Sequence, residues 1–137
     1  MNYLLDTNVI SETLKPQPEL SVIDWMNQRQ GVTLYLSVLT LGEIRKGIEA
    51  VKSKAQKHRY QDWLEGELSV YFTGRILPID REVAECWGRL MAQAKRPLPS
   101  IDSLLAATAV SKQMTLVTRN TKDFAGLPVS LFNPWKA

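Results

Sequence analysis

The chain has 137 residues, of which 45% are apolar and 23% are charged, and its formal net charge at pH 7 is +3. This length and balance fit one globular domain, residues 1–137, with a core of its own. A single cysteine, Cys86, excludes an internal disulfide. With His58 as the only histidine, a His- or Cys-rich zinc site is also excluded, and little room is left for Ser-His or Cys-His catalysis. Any catalytic chemistry is therefore expected from carboxylates.

The N-terminal sequence MNYLLDTNVIS has neither a basic leader nor a long apolar run. No stretch of the chain approaches 18 uninterrupted apolar residues. We therefore expect no signal peptide, no membrane span and a cytoplasmic location.

Short strand-like segments alternate with longer helical ones along the chain. Strands are predicted at residues 3–5, 34–38, 75–79, 115–118 and 129–132. Helices are predicted from about residue 8 to the prolines at 16 and 18, and at residues 20–30, 40–51, 55–71, 81–95 and 101–110. In the second helix, Leu20, Ile23 and Met26 fall on one side. Ser100 is expected to cap the last helix, which is apolar nearly all round, as a buried helix is.

Strands that alternate with helices predict an α/β fold. We expect a three-layer α/β/α sandwich around a mostly parallel sheet of about five strands. In sheets of this kind, ligands bind outside the carboxyl ends of the strands. That edge is therefore where a functional site is expected.

Four acidic residues stand in positions that can reach this edge. Asp6 directly follows the first strand, and Glu43 lies a few residues after the second, in the first turn or so of a helix. Asp102 lies in the first turn of the buried helix, and Asp123 lies five residues after Thr118. A carboxylate beside a core is costly unless it is paired, hydrogen-bonded or bound to a metal. Their common location predicts a divalent-cation site.

Each acid also has a simpler interpretation. Asp6 could cap a helix, Glu43 could face solvent, Asp102 could complement a helix dipole, and Asp123 could shape a turn. The basic residues between 45 and 59 could neutralise phosphates, although a solvated helix face is the more favoured interpretation. The combination of the four acids carries more weight than any one of them.

Four neighbouring carboxylates cannot all stay ionised without a counter-charge. Mg²⁺ or Mn²⁺ supplies one, because hard cations prefer oxygen ligands. Such a metal polarises a phosphodiester oxygen and lowers the pKa of a bound water. The sequence therefore predicts a metal-dependent hydrolase of phosphate esters.

Four segments carry a family resemblance: LLDTNVIS, LTLGEIRKGIE, PSIDSLLAATA and LVTRNTKDF, in this order. Together they resemble PIN-domain ribonucleases, and in particular VapC-type and FitB-type toxins of type II toxin–antitoxin systems. The resemblance implies a PIN-like α/β/α sandwich and Mg²⁺- or Mn²⁺-dependent endoribonuclease activity. It also implies a homodimer, inhibition by a small VapB-like or FitA-like antitoxin, and binding to operator DNA through that antitoxin.

The resemblance also assigns roles to residues. The core catalytic and metal-binding acids match Asp6, Glu43 and Asp102, and a more variable fourth acid matches Asp123. Polar positions that support the site match Thr7, Asn8, Thr118 and Asn120. Three basic residues close to the acids in sequence are candidates for contact with the RNA backbone: Arg45, Lys46 and Arg119.

Two other functions remain open at this point. A phosphatase-like enzyme would use Asp6 as nucleophile, but the second acid it needs two residues later is Asn8 here. A non-catalytic nucleic-acid-binding module would use the basic run, but it leaves the acids inside apolar segments unexplained.

Overall fold

The computed structural model describes residues 1–136, so Ala137, the last residue of the predicted domain, lies outside the described residues. The strands are β1 (Tyr3–Leu5), β2 (Leu34–Ser37), β3 (Ile76–Leu77), β4 (Thr115–Val117) and β5 (Leu131–Phe132). The α-helices are α1 (Thr7–Thr13), α2 (Leu20–Asn27), α3 (Val38–Glu49), α4 (Lys54–Asp62), α5 (Ser69–Tyr71), α6 (Arg81–Gln93) and α7 (Ser100–Ser111). A π-helix, Trp63–Leu68, joins α4 to α5, which makes residues 54–71 one continuous helical segment. Short 3₁₀ helices occupy Gly31–Thr33, Thr121–Phe124 and Pro134–Lys136.

The five strands form one sheet in the order β3-β2-β1-β4-β5, and every pairing is parallel. This confirms the predicted α/β class with about five strands. The strand order reverses beside β1, because the chain first moves outward through β2 and β3 and then returns to place β4 on the other side. Such a reversal opens a crevice at the carboxyl ends of the two strands, here β1 and β4.

Neighbouring residues of one strand pack into different cores. Leu4 and Leu116 contact α7 on one face, whereas Leu5 and Val117 contact the helices of the opposite face. All four side chains are fully buried. Alternation of this kind requires a helical layer on each side of the sheet, so the predicted three-layer arrangement is confirmed.

Helix α2 presents a different side to the core from the one its apolar pattern indicated. Val22 and Trp25 are buried, whereas Leu20 is 71% exposed. The reason is the fit of Trp25, whose ring stacks on Phe132 with centroids 5.3 Å apart and meets the edge of Tyr3 at 5.1 Å. An aromatic group of this size contributes more buried area than Leu20 could.

The expected cap of α7 is wrong by one residue. Pro99 precedes the helix with φ −57° and ψ 144°, and Ser100 is already the first helical residue. Proline has no side-chain group that can accept a hydrogen bond, so the helix begins without a side-chain cap. Within residues 1–136, no helix combines the length and the apolar composition needed to cross a membrane.

Candidate active site

Asp6 lies at the junction of β1 and α1, at the crevice where the strand order reverses. It is only 8% exposed. Its Oδ1 accepts a hydrogen bond from the backbone N–H of Thr7 at 2.7 Å, which makes it the N-cap of α1. Its Oδ2 accepts from the Thr118 hydroxyl at 2.8 Å and, at 3.4 Å, from the side-chain amide of Asn8. Asp6 therefore caps a helix and also lies in the candidate site.

Thr118 directly follows β4 and is fully buried. Its hydroxyl donates to Asp6 and accepts from the backbone N–H of Asn120 at 3.1 Å and from the Asn8 amide at 3.4 Å. A hydroxyl has one hydrogen and two lone pairs, so all of its hydrogen-bonding capacity is used. The structure thus brings together the polar residues expected around the first acid.

Glu43 lies in the second turn of α3, slightly later than expected, because Ser37 caps the helix and Val38 begins it. The Glu43 side chain is exposed, and its Oε1 accepts a hydrogen bond from the Thr7 hydroxyl at 2.6 Å. Thr7 therefore links two acids, since its backbone N–H binds Asp6 and its side chain binds Glu43.

Asp102 and Asp123 approach from the other two elements. Asp102 is the third residue of α7 and is half-buried. Asp123 is exposed in the 3₁₀ helix Thr121–Phe124, which buried Phe124 anchors to the core. The Arg96 guanidinium donates to the backbone carbonyl of Asp123 at 2.9 Å and to that of the second residue after it at 3.2 Å. Sequence reasoning missed this arginine, because the segment RPLP carries no signal for a contact 27 residues away.

The four acids form one electrostatic group. Burial raises the pKa of Asp6, the hydrogen bonds from Thr118 and Thr7 oppose that rise, and repulsion from Glu43 and Asp123 adds to it. Burial also raises the pKa of Asp102, and repulsion from the other three acids adds to that rise. This repulsion is what four acids at the carboxyl edge of the sheet, as their positions predicted, would produce.

The acids are spaced more widely than in a closed metal cage. Within residues 1–136, no three Asp, Glu, His or Cys side chains are placed to hold one metal ion together. The donor set nevertheless fits Mg²⁺ or Mn²⁺ in chemistry and charge, because it consists of oxygen atoms that repel one another. Mg²⁺ in enzymes usually binds through one or two carboxylates, several waters and substrate phosphates.

The basic residues proposed to contact RNA have different surroundings. Arg45 forms an ion pair with Glu65 at 3.5 Å between two exposed side chains, so Glu65 would compete with RNA for Arg45. Lys46 and Arg119 each line a groove that includes one of the four acids. Only the latter two are therefore placed beside the candidate site.

The comparisons with known proteins agree with this geometry. The PIN domain profile matches residues 3–128, so the chain belongs to the PIN-domain family. It is 38% identical to the VapC ribonuclease Y4jK of Sinorhizobium fredii, over 97% of both chains. It is also 38% identical to toxin FitB of Neisseria gonorrhoeae, over 96% of this chain and 97% of that protein. The crystal structure of FitAcB from Neisseria gonorrhoeae superposes with a TM-score of 0.94 at 37% identity, covering 98% of this chain and 99% of that one. Within the family, this chain lies among the VapC-like and FitB-like members, which confirms the resemblance carried by the four segments.

Proposed function

We propose that this protein is a Mg²⁺- or Mn²⁺-dependent endoribonuclease and the toxin of a type II toxin–antitoxin system. The observation that supports this most directly is the electrostatic group of four acids at the carboxyl edge of the sheet, in which Asp6 and Asp102 have raised pKa values. A divalent cation relieves that repulsion. The relatives named VapC ribonuclease and toxin FitB point to the same chemistry.

In this proposal Asp6, Glu43, Asp102 and Asp123 would hold the cation between them, one or two of them by direct contact and the others through its water molecules. A bound Mg²⁺ or Mn²⁺ would supply Lewis-acid chemistry there, polarising a phosphodiester oxygen of RNA and lowering the pKa of a nearby water. The contribution of Thr118 is to donate a hydrogen bond that favours the ionised form of Asp6 and fixes its direction.

The phosphatase-like alternative is weaker. Both carboxylate oxygens of Asp6 accept hydrogen bonds, which lower the nucleophilicity of the carboxylate. The residue two positions later, Asn8, donates its amide to Asp6 and cannot serve as an acid or base. A purely nucleic-acid-binding role would account for Asp6 only as a helix cap and would leave its repulsive neighbourhood with the other acids unexplained.

The test is RNA cleavage by the purified chain with Mg²⁺ or Mn²⁺, with RNA ends mapped after brief expression in cells. The Asp6→Asn/Asp102→Asn variant should lose cleavage and growth arrest. The matched control, Asp24→Asn/Asp62→Asn, removes two exposed acids away from the strand ends and should keep both. If wild type and the Asp6/Asp102 variant are equally harmless and equally inactive on cellular RNA, the proposal fails.

We further propose that a cognate VapB-like or FitA-like antitoxin restrains this activity, that the chain forms a homodimer, and that the complex binds operator DNA through the antitoxin. An apolar groove of about 200 Å³ between α1, α3 and the helical segment 54–71 opens at Thr7 and Glu43. An apolar antitoxin helix would occupy this groove and extend an Arg or Lys towards the acids, where charge complementarity favours a cation.

This partner is sought first in a short upstream reading frame co-expressed with the toxin. Leu14→Glu, inside the groove and 38% exposed, should weaken co-purification of the antitoxin. The control Leu20→Glu, 71% exposed and outside the groove, should not. Equal capture by both variants would reject the groove, and light scattering of the toxin measures whether it is a dimer.

A further inference from the structure

A second groove lies beside Asp123, between the loop that follows β4 and the C-terminal 3₁₀ helix Pro134–Lys136. Its volume is about 570 Å³, within the range of ligand-binding clefts. We call it the basic groove because Arg119, Lys122 and Lys136 line it, together with Trp135.

The cations of the basic groove are available to a ligand. Within residues 1–136, Arg119, Lys122 and Lys136 form no ion pair, although the groove also contains the acids Asp123 and Glu19. The basic run of residues 45–59 differs in this respect. Three of its members already have acidic partners, in the pairs Arg45–Glu65, Lys57–Glu49 and His58–Asp62. An anionic ligand would therefore have fewer ion-pair partners to displace in the basic groove than along the basic run.

Hydrogen bonds tie the walls of this groove to the candidate active site. Asn120 donates its backbone N–H to the Thr118 hydroxyl, and the same hydroxyl holds Asp6. Asn133 donates its amide to the carbonyl of Arg119 at 3.2 Å, which joins the two walls to each other. A strand lying in the groove would thus be held in a defined position relative to the acids.

The groove also offers flat stacking surfaces. The Arg119 guanidinium lies over the Trp135 ring, 5.3 Å from its centroid. Trp135 is only half-buried, and its backbone N–H binds the Asn133 side chain at 2.9 Å. Cations that follow a backbone, next to an aromatic ring and a guanidinium plane, are the combination that binds single-stranded nucleic acid.

We propose that the basic groove binds the RNA strand next to the scissile phosphate. Lys122 and Lys136 contact phosphates, and the Arg119–Trp135 pair stacks on a base. The contacts are independent of sequence. The inference rests on the proposed ribonuclease function and adds the path by which the substrate reaches the acids.

The experiment measures binding of a labelled single-stranded RNA oligonucleotide of mixed sequence to the full chain in EDTA, where no cleavage occurs, across a salt series. The test variant is Lys122→Gln/Lys136→Gln. The matched control is Lys52→Gln/Lys54→Gln, which removes the same charge from the rival basic run, and melting temperatures establish that every variant is folded. Each phosphate contact on a single strand contributes about 0.7 to the slope of log K against log salt. Loss of two contacts should lower the slope by about 1.4. At a salt concentration tenfold below the one where wild type and the test variant bind equally, the test variant should bind RNA about 25-fold more weakly than wild type.

The inference is overturned if the slope of the test variant equals that of wild type, or if the control loses as much slope as the test variant. A separate cleavage assay with Mn²⁺ distinguishes the two proposals. Wild type that binds through the groove but cleaves no RNA refutes the ribonuclease and leaves the groove standing. Wild type that cleaves RNA while the groove variant keeps its full salt slope refutes the groove alone.

Discussion

Thr118→Val removes one hydroxyl from the centre of the site and keeps the side-chain shape. The lost hydroxyl donates to Asp6 at 2.8 Å and accepts from the backbone of Asn120 at 3.1 Å. A hydrogen bond to a charged group contributes about 1.5–3 kcal/mol, and a neutral one about 0.5–1.5 kcal/mol. Exposed Asn120 can replace its partner with water, so the cost arises mainly at Asp6. We expect a loss of about 2.5 kcal/mol in the free energy of unfolding, or roughly 9 °C in Tm for a chain of this length.

Thr118→Val should also change the pH dependence of RNA cleavage and the affinity for the metal. The Thr118 hydrogen bond lowers the pKa of Asp6, so its loss lets burial and repulsion raise that pKa further. The acid limb of the pH–cleavage profile should therefore move to higher pH. Removal of a group that orients a metal ligand also typically weakens metal affinity about 10- to 100-fold.

The control is Thr118→Ser, which keeps the hydroxyl and loses only a methyl group. Thermal melts in EDTA, metal titrations and pH–rate profiles are compared among wild type, Thr118→Val and Thr118→Ser. If the valine variant matches the serine variant in its acid limb and metal affinity, the hydroxyl does not tune Asp6 and the reasoning is refuted.

Three further predictions concern other parts of the chain. The pKa of Asp102 is raised in the folded protein, so the folded protein binds this proton more tightly than the unfolded chain does. The ionised Asp102 carboxylate therefore destabilises the fold increasingly as pH rises above about 4. In EDTA, Asp102→Asn should therefore gain Tm over wild type between pH 4 and neutrality, and a constant difference would contradict this. Arg96→Ala should lower cleavage activity strongly and Tm only slightly, because it frees the backbone of Asp123. Arg96→Lys should restore part of that activity. Equal losses of activity in the two variants would count against a role of Arg96 in positioning Asp123. Arg75 donates hydrogen bonds to the carbonyls of Gly31, Leu34 and Tyr71 at the opposite edge of the sheet. Arg75→Lys should therefore lower the free energy of unfolding by about 2 kcal/mol, measured by chemical denaturation, and leave kcat unchanged. An unaltered free energy of unfolding would refute this prediction.

The parts of the fold that depend on local pattern could be predicted from the sequence. Strands and helices follow from apolar periodicity, and the shared edge of the four acids follows from the parallel sheet that this alternation implies. The buried side of α2 could not be predicted, because it depends on the stacking of Trp25 on Phe132, 107 residues away in a different element. Arg96 and the basic groove escaped prediction for the same reason, since they arise where distant segments meet.

The acids differ in how firmly the protein holds them, and this difference has a consequence for metal binding. Both oxygens of the Asp6 carboxylate accept hydrogen bonds, and Glu43 accepts one. The carboxylates of Asp102 and Asp123 accept none from residues 1–136. The rise in the pKa of Asp102 is consequently opposed by no hydrogen bond, whereas that of Asp6 is opposed by two. A cation therefore gains a preset ligand at Asp6 and relieves a repulsion at Asp102 that no hydrogen bond opposes, so these two positions should dominate its affinity.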